Sequence, residues 1–247
     1  MNSIAHFPPF GNLDKQSISG YNRAHKGGTA MQTEKAVLFD LDGTLWDSSR
    51  EVLLCWNRVL SPLGRKISPE ELARLMGLTP KEIGDREFPD LPPQERQALT
   101  KRCLDAEAPY LHTRGARLYP GVRQTLRELK KRYFIGLVSN CTEDYAEAFL
   151  HAHGLRALFD DVETAGHTGL DKGENIALVL KRNKIKKAVY AGDTVMDLAA
   201  ARAAGIPFLF ASWGFGQAEG PYPAVDSFTM LPEAVSTFLD TDSSWAG

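Results

Sequence analysis

The stretch Ala36-Val37-Leu38-Phe39-Asp40-Leu41-Asp42-Gly43-Thr44 decides the fold. Four apolar residues stop abruptly at an acidic, glycine-containing loop, as a fully buried parallel strand does at its carboxyl end. Three later runs repeat the arrangement: 133–138 ends in Ser139-Asn140, 188–191 in Gly192-Asp193-Thr194, and 206–211 in Ser212-Trp213-Gly214. Between them, 122–132, 143–151, 173–183 and 196–204 read as helices. Such alternation predicts an α/β fold, an open and mostly parallel sheet covered by helices on both faces. Ligands of such sheets gather at the carboxyl ends of the strands, where the polar residues here accumulate.

About ninety residues separate the first run from the second, and they contain no comparable buried strand. A parallel crossover needs only a dozen or so residues. The excess reads as an inserted small helical domain with helices over 48–60, 68–76 and 93–111. Ser68-Pro69-Glu70-Glu71 marks one of its starts, an N-cap followed by proline and early acids. The expected organisation is a core of 34–47 and 115–240, a helical cap of 48–114, and a tail of 241–247. Residues 1–33 are rich in Asn, Ser, Gly and Pro and are expected to be a disordered or loosely packed extension. Met31, just before the first strand, is a candidate start.

Composition removes several classes of function. The 247 residues carry 29 Lys and Arg against 31 Asp and Glu, so no basic excess argues for nucleic acid. No apolar run reaches the length of a membrane span, and the first thirty residues lack the order of a secretory signal. Cys55, Cys103 and Cys141 are odd in number and scattered, which fits a reducing compartment better than disulfides or zinc. A soluble cytoplasmic protein is the expectation.

The chemistry lies at the strand ends. Asp40 and Asp42 are two apart in an extended segment, so both can face one site, and Gly43 permits the tight turn that follows. Two carboxylates this close need a cation between them, or one must keep a proton. Either state suits phosphoryl transfer, with one carboxylate attacking phosphorus and the other protonating the leaving oxygen. Asp193 and Asp197, one helical turn apart, add a second acidic pair; carboxylate oxygens completed by water and phosphate suit Mg²⁺. Ser139 and Asn140 offer a hydroxyl, an amide and free N–H groups to phosphate oxygens, and Thr44 is a further candidate contact. Lys172 precedes a helix whose amino end can also face an anion. Four ionised aspartates, one divalent cation and Lys172 leave one negative charge; a proton on Asp42 makes the site neutral and supplies the donor.

Together these segments resemble the four signature motifs of the haloacid dehalogenase superfamily, in order and over nearly all of 35–240. Asp40 and Asp42 match the first motif, Ser139 the second, Lys172 the third, and Asp193 with Asp197 the fourth. The resemblance implies a Rossmann-like core with a helical cap and an aspartyl-phosphate on Asp40, with Asp42 as general acid–base. It also implies Mg²⁺ held by Asp40, the Asp42 carbonyl, Asp193 and Asp197, with Lys172 steadying nucleophile and phosphate. The dehalogenase branch lacks the second aspartate of the first motif, so Asp42 points to a phosphatase, similar to the phosphoglycolate phosphatase-like group. The expected partner is a small phosphorylated metabolite. A phosphomutase of the same fold is the alternative, and a catalytically silent binding module would require the loss of a motif residue. Trp46 is placed near the site because it follows the motif. Arg50, Lys81 and Arg86 are expected to be solvated surface charges.

Overall fold

The structure, a computed structural model, describes residues 33–216 and 222–241. The expected N-terminal extension with its candidate start, and the expected tail, lie almost wholly outside the described residues. In chain order the strands are β1 (Lys35–Phe39), β2 (Trp46–Asp47), β3 (Arg117–Leu118), β4 (Phe134–Ser139), β5 (Asp161–Thr164), β6 (Lys187–Gly192), β7 (Phe208–Ala211) and β8 (Ala224–Val225). Helices α1 (Ser49–Leu60), α2 (Pro69–Ala73), α3 (Pro80–Glu87), α4 (Pro93–Asp105) and α5 (Glu107–Arg114) fall between β2 and β3. The remainder are α6 (Val122–Leu129), α7 (Glu143–His153), α8 (Ala165–Thr168), α9 (Lys172–Arg182), α10 (Val195–Ala203) and α11 (Leu231–Leu239).

Six strands form a parallel sheet in the order β5-β4-β1-β6-β7-β8. The α/β class read from the sequence is the one observed. β1 lies inside the sheet, with Phe39 opposite both Leu137 and Ala191, so the ends of β1, β4 and β6 are nearly level. Alternate residues of β1 feed opposite faces. Val37 and Phe39 pack with Leu126, Leu231 and Val235, whereas Ala36 and Leu38 pack with Ile176, Val179 and Ala201. Helices therefore cover both faces.

The chain leaves the sheet along β2 and returns along β3. These two short strands pair antiparallel, Trp46 with Leu118 and Asp47 with Arg117, and an Arg117–Asp47 ion pair of 2.9 Å reinforces them. The five-helix insert hangs from this ribbon, and its α5 packs on α7. The same apolar cluster runs from Phe39 and Leu137 through Trp46 and Phe149 to Trp56 and Phe88.

Some local expectations need correction. The helix expected over 93–111 is two helices, α4 and α5, broken at Ala106. Pro109 explains the break, because its ring clashes with the carbonyl four residues back, at Asp105, where α4 ends. The helix expected over 68–76 is shorter, ending at Ala73. The loop at Thr79 opens an unexpected helix, α3, through a capping box in which Thr79 and Glu82 bond each other's backbone N–H. β5 escaped the sequence reading because its Asp and Glu break the apolar pattern; Arg182 pairs with both Asp161 and Glu163 and makes them tolerable there. No described helix is long and apolar enough to cross a membrane.

Candidate active site

Asp40 follows β1 directly, and its N–H still bonds the Ala191 carbonyl at 2.9 Å, so the strand hydrogen bonding fixes its position. Asp193 follows β6, and Asp197 lies in the first turn of α10. Carboxylate oxygens of Asp40, Asp193 and Asp197 all lie within 4.8 Å of one another, and all three residues are buried. Lys172, at the start of α9, enters the same cluster. Its Nζ donates to Asp40 Oδ1 at 2.9 Å and to Asp197 Oδ1 at 2.6 Å. The four side chains come from the end of β1, the start of α9 and the junction of β6 with α10.

The remaining contacts divide the acids by task. Asp197 is fully engaged: Oδ1 takes Lys172, and Oδ2 takes the N–H and hydroxyl of Thr194. Asp193 Oδ2 accepts from the N–H groups of Phe215 and Gly216, and Oδ1 from the Thr44 hydroxyl at 3.3 Å. Asp193 also has almost no room to move. A Cβ on Gly43 would lie 2.1 Å from its Oδ2, and one on Gly214 would lie 2.2 Å from its Cβ. Gly43 additionally has φ +80°, which L side chains rarely adopt.

Asp42 is held differently. Its Oδ1 accepts three hydrogen bonds, from Trp46 Nε1 at 2.8 Å, Ser48 Oγ at 2.5 Å and Tyr145 Oη at 2.7 Å. Its Oδ2 accepts none from a described residue. Trp46, placed near the site from its sequence position, is there. Ser48 and Tyr145 were not anticipated; the serine fell at the start of the helix expected over 48–60, and a tyrosine in the first turn of α7 carries no signal of its own.

Two other residues do something other than expected at the level of side chains. Thr44 donates to Asp193, and Asn140 Nδ2 donates to the Gly77 carbonyl of the insert at 2.8 Å. Asn140 Oδ1 is buried without a hydrogen-bond partner. Ser139 ends β4 and lines the cavity below the insert, beside Asp40, Asp42 and Asn140. Trp213, read from sequence as a packing aromatic, donates from Nε1 to the Thr44 carbonyl at 3.1 Å and props the first loop.

The electrostatics follow from burial. Desolvation pushes Asp40 up to about 8, with Lys172 opposing and Asp197 and Asp193 reinforcing. Desolvation, then Asp197, pushes Asp193 up to about 7. Asp42 is also raised by burial, against the three donors on Oδ1. Burial works against the Lys172 ammonium, but Asp197 and Asp40 overcome it and hold its proton well above the usual lysine range. Three buried carboxylates against one ammonium leave excess negative charge in a dry site. Hard oxygen donors in that state fit a divalent cation such as Mg²⁺.

A parallel α/β sheet with an acidic cluster at its strand ends and a helical insert above them defines a phosphoryl-transfer class of enzyme. The family model for haloacid dehalogenase-like hydrolases matches residues 37–211, and the chain belongs to that family. Within it, the chain is a phosphatase. A phosphoglycolate phosphatase of Synechococcus elongatus is 31% identical over 192 residues, covering 73% of this chain and 85% of that protein. One of Aquifex aeolicus is 29% identical over 197 residues, covering 76% and 90%. Among solved structures, a variant of CbbY from Rhodobacter sphaeroides in complex with xylulose-1,5-bisphosphate superposes with a TM-score of 0.69 at 22% identity, over 79% of this chain and 95% of that one. That likeness concerns the fold alone.

Proposed function

We propose that this chain is a Mg²⁺-dependent phosphatase that hydrolyses a small phosphomonoester through an aspartyl-phosphate on Asp40. The observation that carries the reading is the convergence of Asp40, Asp193 and Asp197 with Lys172 where the carboxyl ends of β1 and β6 meet the starts of α9 and α10. The phosphoglycolate phosphatase relatives support a small monoester as the substrate class.

Lys172 holds Asp40 Oδ1, which leaves Oδ2 to attack phosphorus. The Oδ2–P bond forms as the bond from phosphorus to the leaving oxygen breaks, and Asp42 passes its proton to that oxygen. The three donors on Oδ1 direct the proton to Oδ2 of Asp42, the oxygen without a partner among the described residues. A water then loses a proton to Asp42, attacks the same phosphorus, and frees inorganic phosphate and Asp40. Ser139 binds a phosphate oxygen from the end of β4. Mg²⁺ held by Asp40, Asp193 and the Asp42 main-chain carbonyl would supply electrostatic stabilisation of the transferring phosphoryl group. Asp197 anchors Lys172 and stands with Asp40 and Asp193 as a further oxygen donor to that ion. The helical insert acts as the cap, tied to the core by the Asn140–Gly77 hydrogen bond and hinged on the β2–β3 ribbon.

The test is phosphate release from p-nitrophenyl phosphate. Asp40→Asn abolishes it while preserving the melting transition, and EDTA abolishes it reversibly. Activity retained in either condition defeats the reading.

A further inference from the structure

The insert's side of the cavity is apolar except at one point. Val52, Trp56, Leu75, Ile83 and Leu104 line it, and among them stands Glu107, the first residue of α5. Glu107 is 5% exposed. Its Oε1 accepts the Trp56 indole N–H at 2.5 Å, and its Oε2 has no hydrogen bond from a described residue. No Lys, Arg or His lines this cavity among the described residues. The nearby basic side chains of the insert are turned to other work: Lys81 and Arg96 pair with Asp85, and Arg86 donates to the Arg74 carbonyl.

A buried carboxylate with one donor is costly unless something else meets it. A leaving group carrying a carboxylate or second phosphate would bury its charge in a cavity with no Lys, Arg or His among the described residues to meet it. A leaving group that ends in a hydroxyl or ammonium instead gives Glu107 Oε2 the hydrogen-bond partner it lacks, while its methylene groups lie on the apolar wall. We propose that Glu107 is the specificity-determining residue, and that the substrate is the phosphomonoester of a short alcohol bearing a hydrogen-bond donor and no second anion. The proposal rests on the phosphatase reading and narrows its substrate class away from phosphoglycolate.

The experiment compares kcat/KM of the full chain with Mg²⁺ for aminopropyl, hydroxypropyl and propyl phosphate and for phosphoglycolate. One or both donor-bearing esters exceed propyl phosphate and phosphoglycolate by at least about tenfold, since a site built for a hydrogen bond rejects the analogue lacking it. Glu107→Gln retains volume and an acceptor for Trp56, and it cuts that advantage by about tenfold. A loss confined to the aminopropyl ester identifies an ammonium; a loss on both identifies any donor; either supports the assignment. Preference of the wild type for phosphoglycolate overturns it without a variant, as does an advantage unchanged in Glu107→Gln. Failure to hydrolyse any ester, p-nitrophenyl phosphate included, overturns the phosphatase reading and this proposal with it.

Discussion

The floor and the roof of the cavity are built on opposite principles. The floor, at the strand ends, is dense with charge: carboxylate oxygens of Asp40, Asp193 and Asp197 lie within 4.8 Å of one another, Lys172 bonds Asp40 and Asp197, and glycines crowd Asp193 and Asp197 into place. The roof, supplied by the insert, is aliphatic and aromatic around the single carboxylate of Glu107. Floor residues are fixed by a sheet whose strands end level, so small displacements destroy the chemistry. Roof residues sit on short helices whose faces can be exchanged without touching the sheet. The reaction belongs to the floor and the choice of substrate to the roof.

The comparison can be broken from the floor first. Asp42→Asn removes the proton donor while leaving three possible partners on the side chain. We expect the first step, transfer of the phosphoryl group to the enzyme, to slow by about 10²–10⁴-fold for an alkyl phosphate and far less for p-nitrophenyl phosphate, whose nitrophenolate leaves without a proton and is read as a burst. Equal losses in that first step on both esters would remove Asp42 from the acid's role. Next in size is Gly214→Ala. Its Cβ would sit 2.2 Å from that of Asp193, and the displaced carboxylate should raise the Mg²⁺ concentration for half-maximal activity by about 10- to 100-fold. An unchanged Mg²⁺ titration would show that Asp193 is not a ligand.

The roof gives a pH signature. Burial, opposed by the Trp56 hydrogen bond and reinforced by Asp42, pushes Glu107 up to about 8 from an ordinary value of 4.5. Between those values the folded chain holds a proton that the unfolded chain has lost, so stability falls as pH rises and the full cost is reached above about 8. Glu107→Gln carries no such cost, and its Tm relative to wild type should rise by about 5 °C between about pH 5 and about pH 9. A constant difference across that range would place Glu107 in contact with water. The smallest effect is expected at the prop beneath the floor. Trp213→Phe removes one hydrogen bond to the Thr44 carbonyl, worth about 1 kcal/mol, and should lower Tm by about 2–4 °C at unchanged Mg²⁺ dependence.

The floor was legible in the sequence because its rules are local. An apolar run ending in an acid marks a strand end whatever lies elsewhere, and four such ends in register bring Asp40, Ser139 and Asp193 together. The roof was not legible. Glu107 reads as an ordinary helical acid until the turn at Pro109 and the packing of α5 on α7 place it against Trp56. Tyr145 and Trp213 were hidden for the same reason, since each acts through hydrogen bonds to residues far away in the chain. Thr44 and Asn140 were singled out from their places beside the strand ends, but their partners, Asp193 and Gly77, are set by tertiary contacts.

The central claim is that Asp40 itself carries the phosphoryl group. Borohydride added during turnover of p-nitrophenyl phosphate with Mg²⁺ reduces an acyl phosphate to an alcohol, and peptide mass mapping locates the reduced residue. The account predicts conversion of Asp40 to homoserine, dependent on both substrate and Mg²⁺. Reduction at another carboxylate, or none under conditions where phosphate is released, would contradict it.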